Sequence, residues 1–443
     1  MPSIISNKFR INTGEEFINS LVQTGMNVSI YATISKIDAW ANGDSSPDTP
    51  VDNRQNEVNV WNKMTGGSKL TAYNMSLVIP RINWIANTIF SYYTDANSTP
   101  ILNTNFYVVT SDFNVYKCID NNFGANSTVM PSYTAIDSTH TESDGYTWKF
   151  MYNIGTADQL RFVTPYWIPV KRLGLNDGSL QWLVQTNAVD GSILWIRNIN
   201  GGNNFNNVSN IIITIVGDGS GAQAVPVWNA NSNSITSYVM LNYGSRYHYA
   251  NVFITDLGGI GTNAVAQAVI SPQGGHGSNP VEELGGSNVL IDVRLKADEG
   301  QKLTIANYYR QIALLENPIT YGANNVYSNT AFNQTLISQL SAGSGNYILG
   351  EYVFQGIALA NSSFSGRVSD WDSVNNVIRI TETTGTPTAA GLLGANSGTI
   401  KFIINTTPPD LIPYSGRLMY IDNIVPIQRN SSQTEDIKFI IQF

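Results

Sequence analysis

Apolar and polar positions alternate with period two through much of the chain. The alternation is densest at Asp144-Gly145-Tyr146-Thr147-Trp148-Lys149-Phe150-Met151-Tyr152. As a strand, this run lines one face with Tyr146, Trp148, Phe150 and Tyr152, and the other with Thr147, Lys149 and Met151. Ser143-Asp144-Gly145 is turn chemistry and marks the start. Four large aromatics on one face require burial, and a core is the expected place for them.

Helical signals are few. Thr13-Gly14-Glu15-Glu16 fits a capping box with Thr13 as N-cap, followed by the apolar stripe Phe17, Leu21, Val22. A second helix is expected over 56–64, with Val60 and Met64 four apart and Gly66-Gly67 ending it. Thr156-Ala157-Asp158-Gln159 is another capping-box candidate, opening a short helix to Phe162. Strands are expected over 28–34, and β signals dominate from Ile101, with 106–109 and 115–119 joined by a turn at 111–114. Later strands are expected at 289–295, 352–358, 376–380 and 400–404, with 418–421 and 436–443 as a late pair. Residues 303–315 read as helical at first and extended later. The stretch 366–372 reads as a strand ending in a turn within a small barrel or sandwich.

Residues 173–275 differ in texture, being almost free of Lys and Glu and rich in Gly, Asn, Val and Ile. Gly219, Gly221, Ala224 and Val225 recur as Gly259, Gly261, Ala264 and Val265, an offset of 40, and Gly202 and Phe205 correspond roughly to Gly244 and Tyr247. Each unit reads as strand, Gly-rich turn, strand. Two copies are too few for a free-standing solenoid, so a duplicated β motif in one small domain is expected. The chain thus divides into 1–172 (α+β), 173–286 (a Gly-rich duplicated β insertion) and 287–443 (mainly β). The fold class expected is mainly β (α+β), multi-domain, with short antiparallel strands in sandwich or barrel-like sheets and a few flanking helices.

Composition sharpens this. The chain has 443 residues, enough for two or three cores. Charged residues are only 13%, about half the usual ~25%. Such a surface is easier to desolvate in permanent contacts. The net charge of −8, without a run of Lys or Arg beyond Lys171-Arg172, argues against a nucleic-acid partner. A single cysteine, Cys118, excludes an internal disulfide. The longest uncharged apolar stretch, 211–216, is far below the ~20 residues of a membrane span, so no membrane insertion is expected. The start of the chain lacks a signal-peptide apolar region, and synthesis and folding in a cytoplasm are expected.

Candidate chemistry is thin. His140, His248 and His276 lie far apart, without HExxH spacing, and His276 sits in the loop Gly274-Gly275-His276-Gly277 as a loop residue or backbone hydrogen bonder. Cys118 lies inside an apolar strand and reads as a small buried hydrophobe. Gly217-Asp218-Gly219-Ser220-Gly221 lacks the GK[ST] ending of a phosphate cradle and reads as a β-turn. Of the carboxylate pairs, Glu282 and Glu283 would point to opposite faces if extended, whereas Asp370 and Asp372 flank Trp371 and could share a face. Turn chemistry is the simpler reading of that trio, with a glycosidase pair or a calcium site as alternatives. No catalytic, cofactor-binding or metal-ligating residues are assigned, and no enzyme activity or cofactor is expected.

Several segments, in order, resemble the baseplate wedge protein of T-even-type contractile-tailed phages, the gene-eight product family. They are Asn7-Lys8-Phe9-Arg10 with Glu16-Phe17-Ile18-Asn19-Ser20, then Trp61-Asn62-Lys63-Met64 with Val78-Ile79-Pro80-Arg81-Ile82-Asn83-Trp84. Val115-Tyr116-Lys117-Cys118-Ile119, the aromatic run and Pro165-Tyr166-Trp167-Ile168-Pro169-Val170 follow. Arg310-Gln311-Ile312-Ala313-Leu314-Leu315 and Gln433-Thr434-Glu435-Asp436-Ile437-Lys438 complete the series. The resemblance covers 1–172 and 287–443, and 173–286 looks like an expansion. It implies a non-enzymatic structural role in a virion tail baseplate, in a homodimer beside other wedge proteins, acting in assembly and contraction. The alternative is a carbohydrate-binding or host-attachment β protein of a phage tail.

Overall fold

The computed structural model describes residues 4–21, 28–94 and 104–443. Val22 and Ile101, invoked above, lie outside these residues. The fold is mainly β, with 43% of residues in strands and 13% in helices. The chain forms two compact units, each drawn from separate stretches: Met1–Glu15 with Ser76–Leu290 and Ile440–Phe443, and Glu16–Met75 with Ile291–Phe439.

The second unit contains a five-stranded antiparallel sheet, ordered Ala331–Asn333, Met64–Lys69, Ile30–Ser35, Tyr308–Glu316, Arg417–Gln428. Its core gathers Tyr31, Met64, Leu315 and Phe332 under the helix Arg54–Lys63, whose N-terminus is capped by Asn53 Oδ1 accepting from Asn56 N. Gly66 and Gly67 do not stop that helix; they lie inside the strand that follows it directly. A Cβ on Gly67 would sit 2.6 Å from the Phe332 ring and 2.8 Å from Ala32 O, so glycine is what lets neighbouring strands close around Phe332. A six-stranded closed barrel follows, with strands Leu336–Leu340, Tyr352–Gln355, Phe364–Asp372, Val377–Gly385, Gly391–Gly394 and Ile400–Thr407. Phe364, Val368, Ile378, Ile380 and Leu392 fill it.

Further expectations fail in this unit, at its border or beyond it. Residues 303–307 carry no helix; the strand Tyr308–Glu316 is extended throughout. Arg417–Gln428 and Thr434–Gln442 are not a pair, since the first lies beside Tyr308–Glu316 and the second belongs to another sheet. The first helix spans Asn7–Asn19, so Thr13 is interior, its hydroxyl donating to Phe9 O at 2.9 Å. Likewise the helix Thr156–Phe162 exists, but Gly155 is its N-cap and no side chain caps it.

The first unit holds the aromatic strand. Thr147–Asn153 is central in a four-stranded antiparallel sheet ordered Tyr107–Val109, Asn114–Asp120, Thr147–Asn153, His140–Thr141. Tyr146, Trp148 and Phe150 are buried with Phe90, Val108, Tyr116 and Cys118. Trp148 stacks on Tyr146 with ring centroids 5.6 Å apart and meets Phe90 edge-on at 5.8 Å. The aromatic face is therefore core. The other face, Thr147, Lys149 and Met151, is buried too.

Residues 193–270 of the same unit form a four-stranded sheet (Ile211–Gly217, Ala250–Asp256, Thr262–Ile270, Ile193–Asn203 in order) and a two-stranded ribbon (Ser220–Asn229, Ser234–Ser245) around one core. The duplication has a reciprocal geometry. The third strand of the first copy pairs with the first strand of the second, Ser220 opposite Ser245, and the third strand of the second pairs with the first of the first, Thr262 opposite Asn203. Bulges fall at Gln223/Ala224 and Val227/Trp228 in one ladder and at Val265/Ala266 and Val269/Ile270 in the other. These matches set the repeat offset at 42 rather than 40 in those strands, so Gly219 corresponds to Gly261. Each copy's aromatic covers the other's glycine. A Cβ on Gly219 would sit 2.4 Å from the Tyr247 ring, and one on Gly261 would sit 2.3 Å from the Phe205 ring.

Candidate functional site

The buried polar face of the aromatic strand is where unusual chemistry collects. Antiparallel register places Lys117 directly opposite Lys149. Paired residues share a face, so two ammonium groups are held on one side of a buried sheet. Like charges in this position repel, and each also loses hydration.

Lys117 is fully buried and is compensated by Glu283, with which it forms an ion pair, and its Nζ lies 4.0 Å from the Tyr93 ring centroid. Glu283 comes from the short helix Pro280–Leu284, so the extended geometry expected for Glu282 and Glu283 does not occur. Glu282 is solvent-side and reaches Lys8 at 3.4 Å, while Glu283 turns inward. Its Oε2 accepts from Gly277 N at 2.6 Å, and its Oε1 lies 3.0 Å from His276 Nδ1. His276 is a loop residue, as expected, but a buried one. Gly274, Gly275 and Gly277 all take positive φ, which coils the loop and drives the imidazole inward. Its expected backbone bonding is also present, with Nε2 2.8 Å from Phe150 O.

The protonation of this cluster follows from its acceptors. Burial pulls the His276 imidazole down to about 4, with Glu283 pulling the other way. Burial raises the Glu283 carboxyl, and Lys117 and His276 more than offset it, leaving it well below the usual carboxylate range. Yet Phe150 O can only accept, so Nε2 carries a proton, and Nδ1 then faces a carboxylate oxygen. That second contact also needs a proton between its two atoms. The geometry outweighs the burial effect here: His276 and Glu283 together hold two protons, one on Nε2 and one between Nδ1 and Oε1, and are jointly neutral. Lys117 and Lys149 remain as two cations.

Lys149 has no such partner. It is 6% exposed, and among the described residues no acceptor lies within hydrogen-bond or ion-pair distance of its Nζ. Burial draws its ammonium down to about 8, reinforced by repulsion from Lys117 and opposed by Glu283 and Asp137. The side chain lines a cavity of about 620 Å³ whose walls include Ile136, Asp137, Val184, Leu194, Asn242, Tyr243 and His276. That volume is in the ordinary range for small-molecule sites.

The other candidates are committed to structure. Asp370 is paired with Arg379 at 3.9 Å, and Asp372 accepts from the amides of Val374 and Asn375 in the turn after its strand. Trp371 packs edge-on to Tyr347 and donates from Nε1 to Asn346 Oδ1 at 3.0 Å. Asp218 accepts from His248 N and Tyr249 N, which fixes the Gly217–Gly221 loop as a connection between strands. His140 stacks on Tyr133 at 4.6 Å. Cys118 is fully buried, as expected of a small apolar side chain, and burial pushes its thiol well above the ordinary range. Among the described residues no three His, Cys, Asp or Glu side chains group as metal ligands, and no helix is long and apolar enough to cross a membrane.

Sequence reasoning singled out neither Lys117 nor Lys149 as a site residue. The signal was present: each is a lone lysine centred in a strand that is otherwise apolar, Val115-Tyr116-Lys117-Cys118-Ile119 and Trp148-Lys149-Phe150. No family model and no curated protein sequence matches the chain.

Proposed function

We propose that the chain is a structural component of a contractile-phage tail baseplate wedge, working through protein–protein contacts in assembly and contraction. One observation carries the reading. The duplicated sandwich turns apolar side chains outward on both of its sheets with almost no charge among them. On the four-stranded sheet these are Ile212, Val216, Phe253 and Val265; on the ribbon they are Val225, Val227, Val239 and Leu241. Phe253 is 54% and Leu241 63% exposed. Between positions 193 and 270 only Arg197, Asp218, Arg246 and Asp256 carry formal charge. Arg197 is buried, and the two aspartates cap turns. Faces of this kind desolvate cheaply and suit permanent contacts. The ordered segments that resemble the wedge family supply the identity of the assembly, including the homodimer and the neighbouring wedge proteins.

The test is co-purification. The chain should be found stoichiometrically with other tail proteins in purified virions or wedge subassemblies, and alone it should run as a dimer by light scattering at micromolar concentration. Its absence from tails overturns the reading; a strict monomer removes the dimer. A second reading, glycan binding by a phage tail, is favoured by one pocket of about 370 Å³ lined by Trp195, Phe123, Asp120, Asn122 and Asn198. An aromatic wall beside amides and a carboxylate suits a sugar. Glycan-array binding lost in Trp195→Ala would favour it.

A further inference from the structure

The Lys149 cavity lies outside the wedge reading and has its own charge problem. Lys117 and Lys149 face each other across paired strands. Glu283 reaches Lys117 but also holds His276, with which it shares one proton. Lys149 is left as a buried cation without a hydrogen-bonded counter-charge among the described residues, facing a cavity of about 620 Å³. An isolated buried ion is costly unless something pairs with it or it gives up its proton. Asp137, on the same cavity wall, acts on Lys149 through space without forming an ion pair. The remaining walls combine the apolar surfaces of Ile136, Val184 and Leu194 with the donors of Asn242 and Tyr243.

We propose that this cavity binds a small organic anion, a carboxylate with an apolar body, whose charge is taken by the Lys149 ammonium. The carboxylate supplies the acceptors that Lys149 lacks, and the apolar body covers Ile136, Val184 and Leu194. A cation would meet the Lys149 ammonium on the cavity wall and is disfavoured. A neutral ligand would leave the ammonium uncompensated.

The experiment is a thermal-melting titration of the full chain with sodium benzoate, run against benzyl alcohol and against sodium chloride at matched ionic strength. Ligand binding to the folded state alone raises stability with ligand concentration. Benzoate is expected to raise the melting temperature saturably, and the two controls are not. Lys149→Met removes the buried cation, so it should melt higher than the native chain without ligand and gain nothing from benzoate. Ala188→Trp, at the half-buried rim, fills the cavity without touching a charge and should also lose the benzoate gain. No shift with benzoate, an equal shift with benzyl alcohol or chloride, or a benzoate gain retained in Lys149→Met overturns the proposal. If Lys149→Met does not fold, Ala188→Trp decides, and a retained gain there overturns it.

Discussion

The paired strands Asn114–Asp120 and Thr147–Asn153 keep Lys117 and Lys149 out of water, while the sandwich of residues 193–270 leaves Phe253 and Leu241 in it. Both belong to the same compact unit, and both invert the usual placement of charge and apolar surface. Their costs differ in kind. A buried cation costs desolvation free energy within the folded chain, and the compensation must be built beside it. An exposed apolar row costs the monomer little and becomes useful when another surface covers it. Inversion inside therefore argues for a ligand or an ion network, and inversion outside argues for a partner. Substitutions in the sheet should act on stability, and substitutions on the sandwich's outer faces should act on association.

The sheet should give the largest effects. Trp148→Ala removes a ring that is 2% exposed and packed on Tyr146 and Phe90, and should cost about 3–5 kcal/mol in denaturant unfolding. Glu283→Ala should cost a similar ~3–5 kcal/mol, because it strands Lys117 as an uncompensated buried charge and frees His276 Nδ1 and Gly277 N. If Glu283→Ala costs under about 1 kcal/mol, the ion network is not what allows the lysines to be buried there.

Lys149 adds a pH signature. Its ammonium is lowered from 10.5 to about 8, and ~1.4 kcal/mol per unit makes this about 3 kcal/mol of destabilisation. Between those values the unfolded chain binds the proton and the folded chain does not, so this contribution makes stability rise with pH. The destabilisation is complete below pH 8 and fades toward 10.5. The native chain minus Lys149→Met should show that rise as a difference between two unfolding series, with the variant up to about 3 kcal/mol more stable at pH 7. A difference that is flat from pH 7 to 10.5 would mean Lys149 is hydrated.

The sequence pattern disclosed these regions unequally, for physical reasons. Period-two alternation located the aromatic strand and its buried face because Tyr146, Trp148 and Phe150 leave no alternative. It placed Thr147, Lys149 and Met151 on the other face but gave no sign that this face is buried as well. Covering that face required a short helix carrying Glu283 and a coiled glycine loop carrying His276, both more than 120 positions away in sequence. Alternation reports only that two faces differ; long-range packing decides which of them meets water. The duplication was legible as a texture, but not in its register. The repeated glycines are spaced by the aromatic that sits on each, and Tyr247 and Phe205 come from the opposite copy. Gly66-Gly67 misled for the same reason: glycine is the usual helix stop, whereas here it makes room for Phe332.

That reciprocal packing gives a smaller effect than the sheet. Gly261 has an ordinary negative-φ or extended backbone, so Gly261→Ala meets only crowding from the Phe205 ring. It should cost about 1–3 kcal/mol, the range for overpacking. Phe205→Leu should relieve part of that cost when combined with it, giving a favourable coupling in a double-mutant cycle. Additive losses would show that the ring does not press on Gly261.

The smallest stability change is expected where the effect on association is largest. Phe253 stands on the outer face of the four-stranded sheet, in a row with Thr214 on one side and the strand bearing Val265 on the other. Phe253→Lys removes no core contact and should change unfolding free energy by no more than about 0.5 kcal/mol. It places a hydrated ammonium in the middle of an uncharged apolar row, and any partner surface covering that row would have to desolvate it. The variant should therefore fold and melt like the native chain yet fail to incorporate into tails, or incorporate at a small fraction of the native level. Val225→Lys makes the same test on the ribbon, whose outer face is separate. If both variants assemble normally, the outward apolar rows face solvent in the assembly, and the contrast between a ligand-seeking interior and a partner-seeking exterior loses its second half.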